Sequence, residues 1–213
     1  MTASETERRE SILEAAERLF CHYGSSKTTI GDIAKEVGIG VGSVYLEFDS
    51  KDDIVLELTR QRHRDVLEAM RQAAREGTFA ERLTRMLLAR TQILYKFAEL
   101  GTHSCDLVQC ESEPPKHWGA TSSDEEVTLI AALIERGGRE AEFAMHNPRA
   151  TAELILRACA SLTPPLLFRH KERDAMRAVQ DLVSLLLMGI VARPRASATA
   201  ASASPRRQRF GSR

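Results

Sequence analysis

The chain has 213 residues, enough for one large domain or two small ones, and its 30 basic and 30 acidic side chains balance. That balance excludes a global attraction to polyanions, and the lack of any apolar run near roughly 20 residues excludes a membrane-spanning helix. Aromatics are only 5%, the strong helix formers Ala, Leu, Glu and Arg dominate, and no alternating β-branched run reads as a strand, so an all-α fold is expected.

The charged amino terminus lacks the apolar core of a secretory signal. Cys21, Cys105, Cys110 and Cys159 are scattered and suggest no disulfide scaffold, which fits a reducing cytoplasm. No Ser-His-Asp order, phosphate loop, paired metal-binding carboxylates or H-E-x-x-H occurs, so neither an enzyme nor a cofactor is expected.

Residues 5–23 place Ile12, Ala15, Ala16, Leu19, Phe20 and Tyr23 at i, i+3, i+4 spacing, and Gly24 ends that helix. Thr29 and Asp32 have capping-box spacing, and Ile30, Ile33, Ala34 and Val37 follow on one face. Gly38 falls where the helix must turn, because glycine accepts the left-handed conformation. A second short segment, Val41 to Phe48, buries Val44 and Phe48 and leaves Gly42, Ser43, Tyr45 and Leu46 on its other side. Two short helices on a tight glycine turn form a helix-turn-helix, whose second helix fits the DNA major groove. The same geometry also occurs as ordinary packing in helical proteins. Ser50 and Asp53 then suggest a second capping box, opening a helix to about Glu76.

From residue 78 the helices lengthen. Thr78 to Leu100 aligns Phe79, Leu83, Met86, Leu87, Ile93, Leu94 and Phe97. Ser122 to Glu126 reads as the cap of a helix carrying Val127, Ile130, Ala131, Leu133 and Ile134. Asn147-Pro148 is a start signal for a helix to about Leu162, before Thr163-Pro164-Pro165. The last helix spans about Lys171 to Val191. Residues 193–213 hold six Arg and no acid among Ala, Ser and Pro, the composition of a disordered basic tail.

The amino-terminal order resembles the TetR family of transcriptional regulators. The resemblance rests on Ala15-Ala16-Glu17-Arg18-Leu19-Phe20, Tyr23-Gly24, Thr28-Thr29-Ile30-Gly31-Asp32-Ile33-Ala34, Val37-Gly38-Ile39, Ser43-Val44-Tyr45, Phe48 and Ser50-Lys51-Asp52-Asp53. It covers the first quarter of the chain. It implies a three-helix DNA-binding domain over 1–50 and a larger helical ligand-binding and dimerisation domain over 51–192. By position, Thr28, Thr29, Tyr45 and Lys51 would touch phosphates, and Gly40, Val41, Gly42 and Ser43 would enter the major groove. The partners implied are a palindromic double-stranded operator, a small-molecule effector and a second copy of the chain.

The reading face departs from the family's habit. Arg, Lys, Asn and Gln, the best base readers, are missing from the recognition helix. Val41 could pack on a thymine methyl, Ser43 could bond a base, and specificity would rest partly on DNA shape. Residues 1–75 hold 11 basic and 14 acidic side chains, and 11 − 14 gives −3, so a positive face must come from arrangement. Arg8, Arg9, Lys27 and Lys51 are the candidates to supply it.

The resemblance also implies an apolar effector pocket, with Met70, Met86, Leu87, Ile93, Phe97, Trp118 and Leu133 as candidate walls; any of these could instead be plain core. Leu156, Val179, Leu182, Val183, Leu186, Leu187 and Ile190 are candidates for a dimer interface, their alternative again being the chain's own core. A two-fold dimer sets its recognition helices roughly 34 Å apart. The cluster His103, Cys105, Cys110, Glu111, His117 and Trp118 matches no standard metal spacing, so no metal is expected. A helical small-molecule-binding dimer that does not bind DNA remains the alternative.

Overall fold

A computed structural model describes residues 3–104, 118–144, 147–159 and 171–190. The described residues form α1 (Ala3–Tyr23), α2 (Ile30–Val37), α3 (Val41–Tyr45), α4 (Lys51–Ala73), α5 (Phe79–Ala98), α6 (Trp118–Arg139), α7 (Pro148–Ala158) and α8 (Glu172–Ile190), and no strand occurs among them. The fold is all-α, as the composition leads one to expect.

Two apolar cores organise these helices. The first gathers Ile12, Ala15, Ala16 and Phe20 of α1, Ile33 and Ala34 of α2, Val44 of α3, Phe48, and Ile54 and Leu58 of α4. Phe20 is fully enclosed there, and truncating such a side chain to alanine costs about 3–5 kcal/mol. The second gathers Val66 and Met70 of α4 with the inner faces of α5, α6, α7 and α8. The single helix α4 therefore contributes to both cores. The first core runs to Leu58, eight residues past the boundary expected at residue 50.

Several local expectations meet a different outcome. Tyr23 lies on the exposed side of α1 rather than on its buried face, while Leu13 is buried. The recognition segment is helical only over Val41–Tyr45, although a turn carries the Phe48 N–H to the Val44 carbonyl at 3.0 Å. Ser50 caps α4 by accepting from the Asp53 N–H, but its hydroxyl donates to the Asp53 carboxylate, so the reciprocal half of the box is missing. Ser122 is interior to α6, which already begins at Trp118. Cap spacing is permissive only: serine is tolerated inside a helix when the preceding turn can also close its backbone bonds. Thr163 to Pro165 and the tail 193–213 lie outside the described residues.

Candidate nucleic-acid interface

The turn that sets up the site is built as its residues dictate. Thr29 caps α2 by accepting from the Asp32 N–H at 3.2 Å, and Asp32 returns the bond by accepting from the Thr29 N–H at 2.9 Å. These bonds from the Thr29 hydroxyl and backbone hold the Asp32 carboxyl below its ordinary pKa, with Lys35 adding a smaller pull. At the other end Gly38 sits at φ +79°, and Ile39 donates to the Ala34 carbonyl at 2.9 Å, closing the helix through a left-handed residue.

α3 is held from behind. Val44 is fully buried and fixes which side faces outward. Beyond its end, Glu47 is held by α1: Arg8 Nε donates to Glu47 Oε1 at 2.8 Å, and Arg9 Nη1 donates to the Glu47 carbonyl at 2.9 Å. The Arg9 guanidinium also lies over the Phe48 ring, 4.1 Å from its centre. Arg8 and Arg9, expected at the DNA face, are thus engaged with Glu47 and Phe48 just beyond α3.

Thr28 is 3% exposed and its hydroxyl donates to the Gly24 carbonyl at 2.9 Å, so its side chain shapes the turn and is not presented to a phosphate. Burial of the residue before the cap is what removes it from the surface. Thr29 is exposed beside it. Gly40, Val41, Gly42 and Tyr45 are exposed and Ser43 is half-buried. The Lys51 ammonium donates to the Ser25 carbonyl at 2.6 Å and the Thr28 carbonyl at 3.0 Å. The start of α4 is therefore fastened to the loop that leads into α2.

Sequence reasoning missed a polar junction farther along α4. Arg62 pairs with Glu17 of α1 and lies 4.1 Å over the Phe97 ring of α5. One residue on, His63 faces Glu125 and Glu126 of α6, and Glu126 accepts from Arg90 Nε of α5 at 2.8 Å. Burial pushes the His63 pKa down, against the pull of Glu126 and Glu125. Polar residues on a core-facing helical stripe were the available signal.

Among the candidate effector residues, Met70, Met86, Leu87, Phe97 and Leu133 are buried in the second core and Ile93 packs against it half-buried. The Trp118 side chain lies outside the described residues. At the candidate dimer face, Val179 and Val183 point inward to their own core, which removes them from a surface role. Leu156, Leu182, Leu186 and Leu187 are partly buried against that core, and the Ile190 side chain is not described. Among the described side chains of α7 and α8, the exposed large apolar ones are instead Leu154, Leu185 and Met188. Cys105, Cys110, Glu111 and His117 lie outside the described residues, while Cys21 and Cys159 are buried. Among the described residues no group of three His, Cys, Asp or Glu could hold a metal ion, and no helix is long and apolar enough to cross a membrane.

Residues 12–58 match the family described as bacterial regulatory proteins, tetR family. That span is the first core, from Ile12 to Leu58. The chain is 28% identical over 147 residues to the probable HTH-type transcriptional regulator ArpR of Pseudomonas putida, covering 62% of this chain and 68% of that one. Its fold resembles a TetR-family regulator from Mesorhizobium loti (TM-score 0.72, 15% identity, 90% of this chain and 100% of the other). It also resembles SmeT as seen in its complex with triclosan (TM-score 0.70, 14% identity, 87% and 92%). With a helix-turn-helix built on the matched residues and transcriptional regulators among its relatives, this chain is similar over residues 12–58 to the DNA-binding regulators of the tetR family.

Proposed function

We propose that the protein is a cytoplasmic, homodimeric repressor that leaves a palindromic operator when a small hydrophobic or amphipathic molecule enters its second core. The observation that carries this reading is the double attachment of α4. Its Lys51 holds the carbonyls of Ser25 and Thr28 next to the helix-turn-helix, while its Arg62 lies on Phe97 of α5. A displacement of α4 by a ligand between α4, α5 and α6 would be passed to the entry of α2. The effector must bind the DNA-incompetent arrangement more tightly, or it shifts nothing.

In this reading residues 1–50 form the DNA-binding unit, residues 51–192 the effector and dimer unit, and 193–213 a basic tail. Thr29, Tyr45 and the remaining Lys51 donor contact phosphates, and Gly40 to Ser43 face the major groove. Met70, Met86, Leu87, Phe97 and Leu133 are buried in the second core and Ile93 packs against it, which gives an effector an apolar wall. The structure of SmeT holds triclosan, which supports an apolar effector for this chain too. The dimer face centres on Leu154, Leu185 and Met188, flanked by Leu156, Leu182, Leu186 and Leu187.

Selection from random duplex DNA with the full chain tests the reading. An enriched palindrome with half-sites one turn apart, roughly 34 Å, is expected. Failure to enrich any duplex would overturn it.

A further inference from the structure

We propose that α3 reads its operator by apolar contact, with Val41 and Leu46 packing on thymine methyl groups in the major groove. The proposal rests on the DNA-binding reading above and specifies its chemistry. Eight large apolar side chains are exposed among the described residues, and three of them lie within Val41 to Leu46: Val41 at 45%, Tyr45 at 53% and Leu46 at 76%. Single exposed apolar side chains are ordinary, but three within six consecutive residues are a local excess: Val41 and Tyr45, four apart, share a face of α3, and Leu46 follows at its carboxyl end.

The neighbouring residues leave that patch as the reading surface. A Cβ built on Gly40 or Gly42 would meet nothing within 4 Å, so both face open space and let the backbone come close to a groove floor. Ser43 is half-buried and Val44 fully buried. The Glu47 carboxylate, an acceptor that suits cytosine, is engaged by Arg8, and the Glu47 carbonyl by Arg9. No long hydrogen-bonding side chain remains on α3 to take guanine or adenine edges. The thymine methyl is the apolar group that the major-groove edges offer, and an aliphatic side chain is its complement. Tyr45, one helical turn from Val41, can keep its hydroxyl for a phosphate while its ring extends the apolar strip.

The test uses the duplex selected with the full chain. Each thymine in a half-site is replaced singly by deoxyuridine, which removes only the methyl, and affinity is measured at fixed salt. Removal of a contacted methyl should weaken binding about fourfold, the effect of one buried methyl-sized group. In L46A and V41A the thymine-to-uracil ratio should fall to one, each at its own position. Both side chains are exposed, so unchanged thermal melting will show that the variants fold. Equal affinity for all uracil duplexes overturns the proposal. So does a uracil effect that persists in both alanine variants, since that effect would come from DNA shape. A chain that enriches no duplex overturns this proposal together with the DNA-binding reading, whereas an enriched duplex indifferent to uracil overturns this proposal alone.

Discussion

Arg8 and Glu47, 39 residues apart, join the first helix to the segment that ends the recognition helix, with Arg8 Nε 2.8 Å from Glu47 Oε1. The Glu47 side chain is only 9% exposed, so it depends on that partner. Arg8→Ala should destabilise the amino-terminal core by about 1–3 kcal/mol, the cost of leaving a largely buried charged group short of its bond. Urea denaturation without DNA measures this. Arg8→Lys should recover part of the loss, because an ammonium keeps the charge but not the fork.

Lys51 has three N–H donors and spends two on the carbonyls of Ser25 and Thr28. Lys51→Met should therefore lower Tm in the absence of DNA. If the third donor meets a phosphate, the slope of log affinity against log salt should also become shallower by about 0.9. A lowered Tm with an unchanged slope would leave Lys51 as an internal fastener and remove it from the DNA contacts.

Two glycines should respond differently to alanine. At Gly38 a Cβ meets nothing within 4 Å, but φ is +79°, so Gly38→Ala should cost about 1–2 kcal/mol through backbone strain alone, and Gly38→Asn less. At Gly101 a Cβ would lie 2.3 Å from the Cys21 carbonyl oxygen, which also accepts the His103 N–H at 2.9 Å. Gly101→Ala should cost about 1–3 kcal/mol by overpacking and push the end of α5 away from α1. Amide exchange at His103 should rise in the Gly101 variant and stay unchanged in the Gly38 variant.

His63 gives stability a pH dependence. Burial lowers its folded pKa below the ordinary 6.5, against the pull of Glu126 and Glu125 and with help from Arg90 and Arg71. As pH falls through 6.5 the unfolded chain takes up a proton that the folded chain does not. Stability should therefore fall below pH 6.5 and level off once the folded imidazole is also protonated. His63→Gln should flatten this part of the profile, followed as urea midpoint against pH. Glu126→Leu should be more severe, about 3–5 kcal/mol, because Arg90 would be left buried without its counter-charge.

Leu185 and Met188 are 67% and 69% exposed on α8. Leu185→Asp should shift the chain from dimer to monomer in sedimentation equilibrium while leaving its helical content intact. Val183→Asp should instead unfold the chain, because Val183 is 1% exposed in its own core. A dimer that survives Leu185→Asp would move the interface elsewhere.

The local features were legible from residue order alone: the Thr29–Asp32 box, the turn at Gly38, the Asn147-Pro148 start and the apolar stripes of α1 and α5. These are set by chemistry within four or five residues, which spacing records directly. Residue order also carried the resemblance to the tetR family, because the motif residues matched over 12–58 are local as well. Tertiary packing decided what spacing leaves open. It turned Thr28 inward and Tyr23 outward, and it directed Val183 to its own core while leaving Leu185 exposed. Neighbouring residues on one apolar helix differ only in which partner helix covers them, and α5 packs against α8 although the two are far apart in the chain. It likewise committed Arg8, Arg9 and Lys51 to distant acceptors, because a long cationic side chain goes to the acceptors that folding brings near.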